Sequence, residues 1–288
     1  MINDADIKRQ VREFYNQVGW QEVGEGIYQN ARYEDLRPVA RDYIHRCHMR
    51  VLGYLKPQGR FLLDAGSGPI QYPEYLEYSR GYQYRVCADI SIVALKEAGR
   101  RIGEHGLFVV ADIAHLPFKP DAFDGVVSLH TIHHLPPGEH AAAYAELFRV
   151  QLPGSNAVVV NGWNSAPLMS LFNLPIRLVE KLYLVKRRLV NRETSGKAAA
   201  PARAQESGAS QGTFVQKHDA RWFKKVIAAR FPAEIRVWRS AGVRFLRTFF
   251  HERWGGRGLL RLLFWLEDRF PRFFGENGQY PLIVIRKP

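Results

Sequence analysis

The stretch from Phe61 to Ile70, reading F-L-L-D-A-G-S-G-P-I, constrains the fold of this chain more than any other. Three apolar residues run into Asp64, and Gly66 and Gly68 then bracket Ser67, the pattern of a buried strand ending in a turn tight enough to admit a ligand. Glycine allows the positive φ and the close backbone approach that such a turn needs. The same short Gly-x-Gly also joins strand to helix where nothing binds, so its company decides its meaning. Asp89 follows Val86-Cys87-Ala88, 25 residues beyond Asp64, and an acid ending a second strand at that distance can accept both ribose hydroxyls of a nucleoside. Asp112 ends a third apolar run, Phe108 to Ala111, and Phe123 to Ser128 reads as a fourth strand.

Upstream, Val39, Tyr43, Ile44, Cys47, Val51, Leu52 and Leu55 recur at helical spacing until Pro57-Gln58-Gly59 stops them. After Asp89, Ser91 is placed to cap a helix whose inward stripe is Ala94, Leu95, Ala98 and Ile102. A helix through Tyr144, Leu147 and Phe148 precedes a fifth strand at Asn156 to Asn161. Alternation of this kind implies a parallel sheet with helices on both faces, and ligands then bind at the carboxyl ends of the strands. Cys47 and Cys87 are too few for a disulfide framework, which fits a reducing cytoplasm.

The order and wording of these segments over Phe61 to Trp163 resemble the class I S-adenosylmethionine-dependent methyltransferases, especially the ubiquinone and menaquinone methyltransferase branch. The resemblance implies an α/β, Rossmann-like fold of seven strands, mostly parallel with the last antiparallel, an N-terminal helical lid over 1–56 and a cofactor-binding core over 57–163. It implies S-adenosyl-L-methionine as cofactor, held by Asp64, Ala65, Gly66, Gly68, Asp89, Ile90, Asp112, Ile113 and Ser128. In the family the glycine loop lies under the methionine part, the second-strand acid holds the ribose and the third-strand acid meets the adenine. One departure is visible. Ile70 stands where the family commonly has a third glycine, so the following helix is expected to start differently.

The segment after the fourth strand, Ser128 to Leu135, carries His130, His133 and His134. His133 or His134 could act as general base towards a phenol, enol or hydroxyl; alternatively both only line the methyl-transfer site. A metal site is not expected, because no thiolate or carboxylate stands nearby at ligand spacing. Tyr15, Tyr33, His130 and His218 are expected to line the acceptor's side of the pocket, with helix packing as the plainer role for the tyrosines and a solvated cap for His218. Methylation of a base amino group is disfavoured, since Ser128-Leu129-His130-Thr131 replaces the Asn- or Asp-Pro-Pro-aromatic motif of those enzymes.

The net charge of +13 is uneven: residues 1–164 sum to −2 and residues 165–288 to +15. A one-signed field favours an anionic partner. Leu168 to Val190 reads as a basic, apolar helix or helix pair kinked at Pro175, within a basic insertion and linker over 164–217, and Thr194 to Gly212 reads as the linker itself. The C-terminal part, 218–288, is expected to hold a helix over Asp219 to Ala229, a strand from Ile235 through Phe245 and a closing strand at Leu282 to Ile285, with an amphipathic insertion over 249–277. Apolar faces edged with Arg and Lys suit an anionic membrane surface, or else a lid or dimer contact. The leading reading is O- or C-methylation of an apolar or lipid-linked small molecule by a cytoplasmic enzyme, peripheral on the membrane. Methylation of RNA by the basic half, or a non-catalytic cofactor-binding scaffold, are the alternatives.

Overall fold

The computed structural model describes residues 3–19, 22–24, 27–28, 34–194 and 213–288. Tyr33 and residues 195–212 of the linker lie outside the described residues, as do the side chains of 18–33, 183 and 186–194. In chain order the elements are α1 (Asp4–Phe14), β1 (Glu22–Gly24), β2 (Ile27–Tyr28), α2 (Arg41–Met49), β3 (Gly59–Ala65), α3 (Glu74–Glu77), β4 (Tyr82–Asp89), α4 (Ile92–Ile102) and β5 (Gly106–Val110). They continue with β6 (Gly125–Leu129), α5 (His140–Val150), β7 (Asn156–Val160), α6 (Pro167–Leu171), α7 (Asn173–Thr194) and α8 (Ala220–Val226). The last are β8 (Ala233–Arg239), α9 (Val243–Phe249), α10 (Gly256–Arg269), α11 (Pro271–Asn277) and β9 (Tyr280–Arg286).

Seven strands form one sheet in the order β5-β4-β3-β6-β7-β9-β8. All neighbours are parallel except at β9, which runs antiparallel to both β7 and β8. This is the seven-stranded, Rossmann-like sheet expected. The order reverses between β3 and β6, so their carboxyl ends diverge and leave a crevice where a ligand can sit.

The apolar runs of the central strands are buried on both faces, as parallel strands covered by helices must be. Successive residues face opposite sides. Leu63, Val126, Val159 and Ile283 pack with Tyr144, Leu147 and Phe223 of α5 and α8, while Leu62, Val127, Val158 and Leu282 pack with Val51, Tyr75 and Leu95. Ser91 caps α4 by accepting a hydrogen bond from the Ala94 N–H at 3.1 Å, and Ala94, Leu95 and Ala98 are buried as the stripe requires.

Three segments differ from expectation. Ala241, Val243 and Phe245 do not continue β8; pairing ends at Arg239 with Tyr280, and Val243–Phe249 is helix α9. Its Leu246, with Ala241 and Phe250, packs against Tyr43 and Cys47 of α2 and Leu260 and Phe264 of α10 in a separate helical core, which rewards helical spacing over alternation. The break in the basic helix falls at Phe172, between α6 and α7, rather than at Pro175. Pro175 sits in the first turn of α7, where its missing N–H has no intrahelical partner to lose. The helix after the glycine turn is reduced to the single turn of α3.

Candidate active site

The site is built from loops at the carboxyl edge of the sheet. Gly66 and Gly68 have φ of 77° and 54°, and Ile70 follows with φ 58°, so the left-handed turn is kept where the family's third glycine is missing. Gly66 is required twice over. Besides its φ, a Cβ there would lie 2.1 Å from Cγ2 of Thr131, whose hydroxyl donates to the Gly66 carbonyl at 3.1 Å. Ile70 takes the strained conformation with its side chain fully buried.

Asp89 ends β4 with its carboxylate aimed by the backbone: the Gly68 N–H donates to one oxygen at 2.9 Å and the Ser91 N–H to the other at 2.8 Å. Each oxygen keeps a lone pair for a ribose hydroxyl. Burial pushes its pKa up to about 6, against the pull of those N–H groups. Asp112 accepts from the Ala114 N–H at 2.9 Å and from Lys8 of α1 at 2.5 Å, and Lys8 also pairs with Glu139 at 2.6 Å. Burial opposes the Asp112 charge, but Lys8 and the Ala114 N–H hold the carboxyl below its usual range. Asp64 is committed differently. Its carboxylate is held by the fully buried Arg85, through Nε at 3.1 Å and through Nη2.

The wall opposite carries the histidines. His130 has φ 57° and rests edge-on against Trp238 and Tyr280. Nδ1 of His134 faces the Phe214 carbonyl at 2.8 Å, so it bears the proton, and Nε2 accepts from the Tyr15 hydroxyl at 2.8 Å. His133 directs Nδ1 to Oδ1 of Asn161 at 3.1 Å, which leaves its lone pair on Nε2. Burial lowers the pKa of His134 to about 4 and of His130 to about 3, and puts His133 well below its ordinary value. All three are neutral at physiological pH. None has the basicity of an efficient general base near pH 7.

These walls enclose a cavity of about 380 Å³ lined by Asp64, Gly66, Gly68, Asp89, Ile90, Asp112, Ile113, Tyr15, His130, His133 and His134, among others. Three expected residues do not line it. Ala65 and Ser128 are fully buried within β3 and β6, and His218 stacks on Trp222 at 3.5 Å and makes a T-shaped contact with His140. Among the described residues, Asp112, His115 and Glu139 bring potential metal ligand atoms within 4.8 Å of one another, where Lys8 already pairs with both acids.

Residues 63–159 match the family described as "Methyltransferase domain". Over these residues the chain is similar to a methyltransferase domain. Solved structures extend the likeness over the whole fold. A geranyl diphosphate C-methyltransferase from Streptomyces coelicolor A3(2) is 16% identical, with 98% of each chain covered and a TM-score of 0.53. The DhpI complex with SAH is 12% identical, covering 99% of this chain and 98% of that one at a TM-score of 0.55. The 4+2 cyclase SpnF is 16% identical, covering 98% and 93% at a TM-score of 0.51. No curated protein matches. The chain thus has the fold of these proteins, and the glycine turn, Asp89 and Asp112 leave an open cradle whose carboxylates could accept the hydroxyls of a nucleoside cofactor.

Several wall residues of the cavity carry no signal in the sequence. Thr131, Lys217, Arg239 and Tyr280 all line the cavity, yet they come from four loops and strand ends brought together only by the sheet order. Lys8 is equally silent. A lysine in a charged amphipathic helix reads as a solvated face until the fold lays α1 across the third-strand acid.

Proposed function

We propose that this methyltransferase acts on an oxygen or carbon atom of an apolar or lipid-linked small molecule, which it meets at an anionic membrane surface from the cytoplasmic side. When bound, S-adenosylmethionine supplies an electrophilic methyl group together with its leaving group, so the protein's share is to place the nucleophile in line. Asp89 would take the ribose, Asp112 with Ile90 and Ile113 the adenine, and the glycine turn would lie under the methionine part. His130, His133, His134 and Tyr15 shape the acceptor's side, and the neutral imidazoles favour an acceptor that needs little help in losing a proton.

The observation that carries the membrane reading is the apolar surface outside the core. In α6 and α7, Leu171 is 73% exposed and Leu182 69%, and Leu174, Leu178 and Val179 are exposed with them beside Arg177 and Lys181. On α10 and α11, Trp265 is 59% exposed, joined by Leu259, Leu262, Phe270 and Phe273 among Arg257, Arg261, Arg269 and Arg272. Phe264 is not part of this surface; it is buried against α2. No helix among the described residues is long and apolar enough to cross a membrane. Such faces suit lying in an interface, where each nearby basic residue adds about 1 kcal/mol on anionic lipid. Liposome co-sedimentation tests it. Binding should favour anionic over neutral vesicles, weaken with salt, and fall when Leu262 and Trp265 become Ser while S-adenosylhomocysteine affinity stays unchanged. Equal, negligible sedimentation with both vesicle types would leave a soluble acceptor and an apolar face that meets another protein.

A further inference from the structure

The cavity has two ends of opposite character. At the cofactor end the acids Asp89 and Asp112 face inward, whereas the other end, beyond the histidines, is formed by the ends of β6 to β9 and holds two cations, Lys217 and Arg239. Arg239 is 1% exposed and ion-paired through Nη1 with the buried Glu34, but its Nε makes no hydrogen bond. Among the described residues Lys217 has no such counter-charge. Its ammonium packs beside Gly162, where a Cβ would come 3.1 Å from Nζ and 3.5 Å from the Tyr280 ring, and among the described residues no carboxylate supports its charge. Its charge is felt by His130, His133 and His134, and desolvation lowers its own pKa. Thr213 Oγ1, buried on the same cavity wall, also lacks a partner. A half-buried cation without a counter-ion is costly, and the cost is recovered if an anion binds beside it.

We propose that Lys217 binds an anionic oxygen of the methyl acceptor, so that the acceptor is an amphiphile bearing an acidic group at its reacting end. The inference rests on the reading of the cavity as a methyltransferase site and adds the acceptor's charge to it. It also answers a problem that the histidines pose. With no imidazole basic enough near pH 7, an acidic hydroxyl held against Lys217 would be favoured in its ionised form by the ammonium itself.

The probes are octanoate and octanol, titrated calorimetrically into the full chain saturated with S-adenosylhomocysteine, so that the cofactor end is filled. Octanoate should bind at least roughly tenfold more tightly than octanol, the scale of one charge-assisted hydrogen bond. Lys217→Met should bring the two within about twofold, Lys217→Arg should keep most of the preference, and S-adenosylhomocysteine affinity should be unchanged in both variants. Equal binding of the two probes by the wild type overturns the proposal, as does a preference that survives in Lys217→Met. Should Lys217→Met fail to bind S-adenosylhomocysteine, the wild-type comparison decides alone. Failure of the wild type itself to bind S-adenosylhomocysteine would overturn the methyltransferase reading of the cavity, and this inference with it.

Discussion

Asp89 has to be ionised to accept two ribose hydroxyls, yet burial raises its pKa to about 6. The sign follows: below that pH the free protein holds a proton that binding must expel, so affinity for S-adenosylhomocysteine should fall as pH drops through 6, by up to about tenfold per pH unit. Asp89→Asn should lose that slope and, with both charge-assisted bonds gone, weaken binding by about 2–4 kcal/mol at pH 8; calorimetry from pH 8 to 5 reads both. The histidines give a second pH test. Nitrogen-15 spectra should show His130 and His134 neutral throughout pH 8 to 5, because burial takes them to about 3 and about 4, and protonation near pH 6.5 would restore one as a base. Ile70 sets two effects against each other. Ile70→Gly would relieve a left-handed backbone costing about 1–2 kcal/mol but delete a fully buried side chain worth about 2–5, so a net loss of up to about 4 kcal/mol is expected in urea unfolding. Asp64, Asp89 and Asp112 were legible in the sequence because strand ends and a fixed spacing marked them. Lys217 and Arg239 were not, since one more basic residue in a stretch of net charge +15 carries no local mark.

At the level of elements, periodicity read the central strands well and failed where a segment's partner changed from sheet to helix. Ala241, Val243 and Phe245 alternate like a strand, but Tyr280, the first residue of β9, is already paired with Arg239 and only the α2–α10 layer remains to pack on. That layer is pinned by Glu267 of α10. Its carboxylate is fully buried and accepts from the Tyr43 hydroxyl at 2.7 Å, from the Ser240 N–H at 2.8 Å and from Arg50 at 2.8 Å. Removing one member of a buried ion pair typically costs about 3–5 kcal/mol. Glu267→Ala should therefore lower the melting temperature sharply, and thermal unfolding checks it; a shift within the range of surface substitutions would mean α10 is held by Leu260 and Phe264 alone. No sequence pattern announces this pin, because its three partner residues lie in two segments far from α10 in the chain.

For the whole molecule, the charge division of the sequence becomes a division in space: the neutral half supplies the cradle, and the basic half supplies the far wall of the cavity and the exposed apolar faces. The seven-stranded sheet was legible because buried parallel strands leave long apolar runs. The N-terminal helical lid was expected through the family resemblance alone, with no mark of its own in the residues, and its placement bears on timing. Lys8, Val11, Phe14 and Tyr15 of this first segment wall the cavity, and we expect a spent cofactor to leave as α1 lifts and Lys8 parts from Asp112 and Glu139. The Lys8, Asp112 and Glu139 side chains keep about a fifth of their surface in solvent, and partly exposed pairs of this kind are worth on the order of 1 kcal/mol each. The latch is therefore weak by construction, and cofactor residence time, followed by stopped flow, should shorten with added salt and shorten again in Lys8→Met.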